Sequence, residues 1–326
     1  MNILVTGGAG FIGSRYARGL LDGDFGRDGE VRVTVLDKLT YAGNTANLPL
    51  HDPRLTFVKG DILDGPLLDG LLPGHDAVVH FAAESHVDRS LLGASEFVTA
   101  NVLGTQTLLD GCLRAGVGRV VHVSTDEVYG SIAAGSWTED APLLPNSPYA
   151  ASKAGSDMIA RAYHRTHGLP VVITRCSNNY GPYQYVEKLV PLFVTRLLTG
   201  REVPLYGDGS NVREWLHVDD HCRAVQLVLE RGVPGEVYNV GGGVELTNRE
   251  LTGRLVELCG ADWSSVRRVS DRKGHDLRYS VNSDKIRREL GYRPAVPFED
   301  GLAEVVRWYR DNRWWWTAPA TAGALP

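Results

Sequence analysis

Through the first half of the chain, short β-branched and aliphatic runs alternate with longer helical stretches. The order is "NILVTG", "FIGSRYARGLLDG", "VRVTVLD", "LTFVKGDI", "DAVVHFAA", "NVLGTQTLLDGCLRAG", "RVVHVST", "YAASKAGSDMIARAYHRTHG" and "PVVITRCSN". Strands that are apolar throughout, separated by helices, predict an α/β fold with a doubly wound parallel sheet covered on both faces. After about residue 180 the rhythm changes to short polar loops, more prolines and one late helix, "FEDGLAEVVRWYRDNRWWW". This pattern predicts a main domain over 1–180 and a smaller lobe over most of 181–326. A segment near 212–240, which contains "REWLHVDDHCRAVQLVLE", is expected to return to the main domain.

Composition narrows the function classes without choosing one. The 326 residues are 43% hydrophobic and 22% charged, and 34 Lys plus Arg stand against 39 Asp plus Glu for a formal charge of −5. That balance, without a long single-sign run, does not favour nucleic acid or an anionic membrane as a partner. The chain contains no apolar run near the roughly 20 residues that span a bilayer, and no internal repeat. Cys112, Cys176, Cys222 and Cys259 are widely spaced, and the sequence opens directly on a strand, so a reducing, cytoplasmic protein is expected. His80, His86, His122, His217 and His221 lack metal-ligand spacing, and no metal is expected. The final ten residues, "TAPATAGALP", are expected to fray.

The first chemical motif is "VTGGAGFIG". Gly8, Gly10 and Gly13 have G-x-G-x-x-G spacing, and Gly7, Gly10 and Gly13 have G-x-x-G-x-x-G spacing, between a strand and a helix. Glycines there let backbone approach a pyrophosphate at a helix N-terminus. Asp37 ends the second strand 24 residues after Gly13, where a carboxylate accepts the ribose hydroxyls of NAD and repels the extra phosphate of NADP. The first domain therefore reads as a Rossmann-type NAD site. Asp61 and Ile62 follow the third strand; Asp61 either lines an adenine pocket or caps a helix.

The second motif is "SPYAASKAG", with Tyr149 and Lys153 at i and i+4 on one helix face. A tyrosine normally ionises near pH ~10, and an adjacent ammonium and an oxidised nicotinamide both favour its phenolate, which makes Tyr149 a candidate base. Ser124 and Thr125 precede "DEVYG", in which Asp126 and Glu127 are adjacent carboxylates. Repulsion between them, with burial, would raise the pKa of one enough for it to act as an acid.

These residues resemble the extended short-chain dehydrogenase/reductase superfamily. "STDEVYG", "HFAAESHVDRS", "CSNNYGPYQ", "EKLVPLF", "REWLHVDDH" and "DRKGHDLRY" further resemble its dTDP-glucose 4,6-dehydratases, particularly those of deoxysugar pathways in antibiotic producers, from Met1 to about Trp316. The resemblance implies dehydration of dTDP-glucose to dTDP-4-keto-6-deoxyglucose through bound NAD. Thr125, Asp126 as acid, Glu127 as base, Tyr149 and Lys153 would be catalytic. NAD would be met by Gly7, Gly10, Phe11, Ile12, Gly13, Asp37, Lys38, Leu39, Thr40, Asp61, Ile62, Phe81, Ala82, Ala83, Ser124, Tyr149, Lys153 and Asn179.

The nucleotide sugar would be met by Ser85, Thr125, Asn178, Lys188, Leu189, Pro204, Tyr206, Arg213, Asn239, Arg272, His275 and Tyr279. Val186 stands where relatives usually have Pro, and Ala100 where they often have Thr. Relatives also pair the helices at 101–116 and 149–168 into a four-helix bundle, so a homodimer is expected, with Leu108, Met158 and Ile159 on its apolar faces. Trp314 to Trp316 could stack on a sugar or form the apolar end of a helix that covers core. A dehydratase of another NDP-sugar, an NDP-sugar 4-epimerase and a non-catalytic dinucleotide sensor are the alternatives.

Overall fold

The computed structural model describes residues 1–26 and 30–317. Its strands are β1 (Asn2–Thr6), β2 (Arg32–Asp37), β3 (Leu55–Lys59), β4 (Ala77–His80), β5 (Arg119–Thr125), β6 (Val171–Cys176), β7 (Asn178–Tyr180), β8 (Val203–Tyr206), β9 (Val212–His217), β10 (Val237–Val240), β11 (Val244–Thr247) and β12 (Val266–Val269). Its α-helices are α1 (Phe11–Asp22), α2 (Gly65–Leu71), α3 (Val87–Leu92), α4 (Ala94–Phe97), α5 (Gly104–Ala115), α6 (Pro148–His167), α7 (Leu189–Leu197), α8 (Val218–Arg231), α9 (Asn248–Leu258), α10 (Asp284–Leu290), α11 (Phe298–Asp311) and α12 (Arg313–Thr317).

Seven strands form one sheet in the order β10-β6-β5-β4-β1-β2-β3, with every neighbouring pair parallel. The period of two in a strand sends its side chains to two different cores. Ile3 and Val5 face a core closed by Ala17, Leu20 and Leu21 of α1 and Val225 and Val228 of α8. Leu4, between them, faces Leu68 of α2, Leu108 and Leu109 of α5 and Ala160 of α6. Helices on both faces explain why these strands are apolar throughout.

The remaining strands form β11-β9-β7 and β12-β8, above a third core containing Val190, Phe193, Leu251, Leu302, Val305 and Tyr309. β9 stays in this lobe; α8 and β10 then carry the chain back to the main sheet. More helix follows residue 180 than the one late helix expected, because α7, α9 and α10 also form. The start of α9 carries a readable signal: Thr247 and Glu250 make a reciprocal capping box.

Two expectations about apolar faces need correction or completion. Leu108 is fully buried against its own sheet and offers nothing to a partner; Ile159 packs partly on the same core, whereas Met158 is 43% exposed. Trp315 is buried in the third core and its indole donates to Asn47 Oδ1 at 2.7 Å, so this aromatic run covers core. Of "TAPATAGALP", all but Thr317 lies outside the described residues. Among the described residues no helix is long and apolar enough to cross a membrane, and no group of metal-ligating side chains converges.

Candidate active site

A cavity of about 310 Å³ opens at the carboxyl ends of β1, β2, β4, β5 and β6, the position that a doubly wound sheet offers to ligands. Its dinucleotide half is shaped by backbone. Gly7 has φ +68°, and a Cβ there would lie 2.6 Å from the Ala82 amide nitrogen; one on Gly13 would lie 2.4 Å from the Gly7 carbonyl. Gly10 caps α1 without any side chain on the first-turn amides, and that turn has no acidic residue. These features form an anion cradle. Asp37 accepts the amides of Ala9 at 3.0 Å and Leu39 at 2.8 Å, which fix its carboxylate at the cavity wall, while burial pushes its pKa up.

Gly7, Gly10, Phe11, Ile12, Gly13, Asp37, Lys38, Thr40, Asp61, Ile62, Phe81, Ala82, Ala83, Ser124 and Asn179 all line this space, and so does Ala100. Leu39 does not: at φ +57° it shapes the turn while its side chain packs on the main core. The two readings of Asp61 separate here. It lines the cavity and accepts the Leu63 amide, whereas Asp64 caps α2. The cradle, the carboxylate and the cavity together fit NAD.

In the other half, β5 ends at Thr125, which accepts the Glu127 amide at 3.3 Å and starts a 3₁₀ turn over Asp126–Tyr129. Gly130, at φ +77°, closes that turn. Helix α6 begins with Ser147 as cap and Pro148 in its first turn, so Tyr149 and Lys153 enter the cavity one turn apart. Thr125, Asp126, Glu127, Tyr149, Lys153, Ser85, Asn178 and Lys188 line the same space.

Asp126 is buried; one oxygen accepts from Thr125 Oγ1 at 3.2 Å, and Oδ2 has no partner. Burial, then the neighbouring charge of Glu127, then Glu214 push its pKa well above the usual carboxylate range. Burial also raises Glu127, but Arg213, Arg272 and Lys188 all oppose that rise. Burial and the charge of Glu127 push the Tyr149 hydroxyl well above the ordinary value, and the protein alone does not make it a phenolate.

Several of the expected substrate residues stand outside the cavity wall. Arg213 stacks on Tyr279 at 4.4 Å and donates to the carbonyls of Val212 and Asp276. Arg272 pairs with Asp88 at 3.2 Å, Tyr206 donates to the same carboxylate at 3.3 Å, and His275 pairs with Asp271 at 2.6 Å. Leu189 opens α7 and Pro204 lies in β8, both in the smaller lobe. Although neither lines the cavity, Arg213 and Arg272 act on Glu127 by charge and hold its pKa down against burial. Asn239 is corrected: it is fully buried in β10 away from the cavity wall, accepting from Tyr129 and donating both amide hydrogens to the carbonyls of Trp137 and Asn282.

The structure also adds residues. Cys176, Glu84, Tyr185 and Glu187 line the cavity. Arg89 lies over Tyr41 at 3.8 Å and bonds Glu187 at 3.1 Å, tying the loop after β2 to the loop before α7. A π-helical turn, Val98–Leu103, carries Ala100 to the cavity; its Asn101 holds the Glu84 backbone at 2.8 and 2.9 Å. Glu84, Cys176 and Glu187 lie inside the motifs quoted above and Ala100 was noted as a departure, whereas Arg89 and Tyr41 meet Glu187 only through the fold.

The sequence profile described as GDP-mannose 4,6 dehydratase matches residues 4–305. A dTDP-glucose 4,6-dehydratase from Streptomyces antibioticus is 63% identical over 97% of this chain and 94% of its own length. One from an Actinoplanes strain is 62% identical over 97% of this chain and all of its own. The chain belongs to the dTDP-glucose 4,6-dehydratase family. Among solved structures, the Streptomyces venezuelae member of this family, crystallised with NAD and the nucleotide dTDP, is 69% identical, covers 97% of this chain and 99% of its own, and superposes with a TM-score of 0.96. The fold is shared more widely: a Thermotoga maritima UDP-glucose 4-epimerase, 32% identical over 96% of this chain and 100% of its own, gives 0.89.

Proposed function

We propose that this protein dehydrates dTDP-glucose to dTDP-4-keto-6-deoxyglucose with NAD bound throughout, in deoxysugar biosynthesis. The observation that carries the reading is the meeting of two constellations in one cavity: the Tyr149–Lys153 pair, and an adjacent Asp126–Glu127 pair whose environments differ. NAD, when bound, would take hydride from C4 of the sugar and return it at C6. Tyr149 takes the proton of the 4-hydroxyl, with the Lys153 ammonium and the oxidised nicotinamide favouring the phenolate that burial opposes.

The division of labour between the carboxylates follows from their neighbours. Three cations face Glu127, whereas Asp126 has only Arg213 and is opposed by two carboxylates. The one proton of the pair therefore rests on Asp126. Its unpartnered Oδ2 donates to the departing C6 hydroxyl, and ionised Glu127 removes the C5 proton. Epimerisation at C4 needs neither group, which disfavours a 4-epimerase. Lys188, Arg213 and Arg272 supply the charge that a diphosphate requires.

We place the enzyme in the cytoplasm as a homodimer built on α5 and α6; the 43% exposure of Met158 on α6 supports that surface. Incubation with a panel of NDP-glucoses and mass detection tests the function. The dTDP sugar should lose one water, and an unchanged mass with every nucleotide would refute it.

A further inference from the structure

Behind the cavity wall lie two buried charged groups, Asp157 and Arg175, for which the dehydration itself assigns no role. Lys153 is only 5% exposed, and its ammonium donates to the Val123 carbonyl at 2.8 Å. A buried ammonium held by a neutral carbonyl needs an anion to offset its desolvation. Asp157 of α6, Cys176 of β6, His122 of β5 and His80 of β4 interact with it by charge, and Tyr149, Asp126 and Glu127 line the same cavity.

Most of these cannot serve. Burial pushes the Cys176 thiol up to about 12 and lowers both histidines, so none of these supplies a negative charge, and Tyr149, raised by burial, becomes an anion only in the step it catalyses. On the dehydratase reading Asp126 holds the proton of its pair, and the charge of Glu127 is offset by Arg213, Arg272 and Lys188.

Asp157 remains. It follows Lys153 by one helical turn on the same face of α6 and is completely buried. Its carboxylate accepts from Arg175 Nε at 2.8 Å and lies 3.3 Å from His122 Nε2. His122 Nε2 is also 3.0 Å from Ser156 Oγ, which donates to the Lys153 carbonyl at 2.8 Å. Arg175 in turn donates to the hydroxyl of Tyr129 at 2.8 Å, the last residue of the turn that carries Asp126 and Glu127. One buried network thus holds both constellations and contains the carboxylate that Lys153 lacks in its own hydrogen bonds.

We propose that Asp157, oriented by Arg175 and His122, is the counter-charge that keeps Lys153 an ammonium, and is therefore a positioning residue for the Tyr149–Lys153 pair. Its consequence for turnover rests on the dehydratase reading; the state of Lys153 does not. The test is NMR titration of the NAD-bound protein labelled with 13C at lysine Cε, from about pH 6 to about pH 10. The chain has six lysines, and Lys153→Arg assigns the relevant signal.

In the wild type, Lys153 should be an ammonium at neutral pH. Asp157→Asn should lower its titration midpoint by about one unit or more, a roughly tenfold change, and move the alkaline limb of C4 oxidation to lower pH with it. Arg175→Met, which leaves the carboxylate less compensated, should raise the midpoint. A neutral Lys153 in the wild type at neutral pH would overturn the proposal even if neither variant folds. So would an Asp157→Asn enzyme that is slower but has its midpoint and alkaline limb in place. The titration decides the matter whether or not any nucleotide sugar is turned over.

Discussion

Gly13→Ala is the sharpest probe of the dinucleotide cradle. The new Cβ would lie 2.4 Å from the Gly7 carbonyl oxygen, 2.9 Å from Gly8 Cα and 3.0 Å from the Gly7 carbonyl carbon, where ordinary contact begins at 3.4 Å. All three atoms are backbone, so no rotamer relieves the overlap of about 1 Å. Gly7 cannot retreat easily: its amide donates to Leu36 at 2.9 Å, its carbonyl accepts Gly10 at 3.1 Å, and any Cβ-sized intrusion on its far side meets Ala82. Overpacking of this kind costs about 1–3 kcal/mol. Expressed in the cradle, that weakens NAD by roughly 5- to 150-fold.

The assay is the NAD content of purified protein, measured after denaturation, together with a titration of the stripped protein with NAD. Gly23→Ala is the control. Gly23 ends α1 at φ +78° with nothing within 4 Å, so its cost of about 1–2 kcal/mol falls on stability and leaves NAD affinity unchanged. Wild-type NAD content and affinity in Gly13→Ala would refute the reasoning.

Other outcomes rest on the same geometry. Asp126→Asn and Glu127→Gln should both still form enzyme-bound NADH on addition of substrate, seen by absorbance, with elimination slowed about 10²–10⁴-fold; full dehydration in either variant removes that residue from its role. Asp126 is held up by burial, so its contribution to stability is present below the ordinary carboxylate pKa and lost as pH rises through its raised folded value. Asp126→Asn should therefore raise Tm near about pH 8 and give no gain near about pH 4, by thermal melts without substrate; equal gains at both would contradict the assignment. Light scattering at micromolar concentration should give twice the 35.6 kDa chain mass, and Met158→Glu should lower it; a monomeric wild type would rule out the dimer.

What could be read from the sequence was local. The glycine spacing, Asp37, and the i, i+4 placement of Tyr149 and Lys153 each depend on one short segment and its period, and the structure places all of them around one cavity. Adjacency of Asp126 and Glu127 was equally plain. What distinguishes the two was not, because the cations facing Glu127 come from residues 188, 213 and 272, brought together only by the smaller lobe. The same limit explains Asn239 and Leu108: a polar residue and an apolar one were assigned outward roles, and strand pairing and helix packing turned both inward. For Tyr149, proximity to Lys153 was legible in the sequence, whereas the burial that opposes its phenolate was not. The capping box at Thr247 was visible and would have announced α9.

The central claim is that hydrogen leaves C4 and reappears at C6 of the same sugar within one closed site. dTDP-glucose carrying deuterium at C4, incubated with the NAD-bound enzyme in ordinary water and mixed with 13C-tagged unlabelled substrate, tests it directly. The account predicts a product one water lighter with the deuterium at C6, none in free NADH, and none on the 13C-tagged molecules. Deuterium retained at C4, released to free cofactor or scrambled between molecules would contradict it.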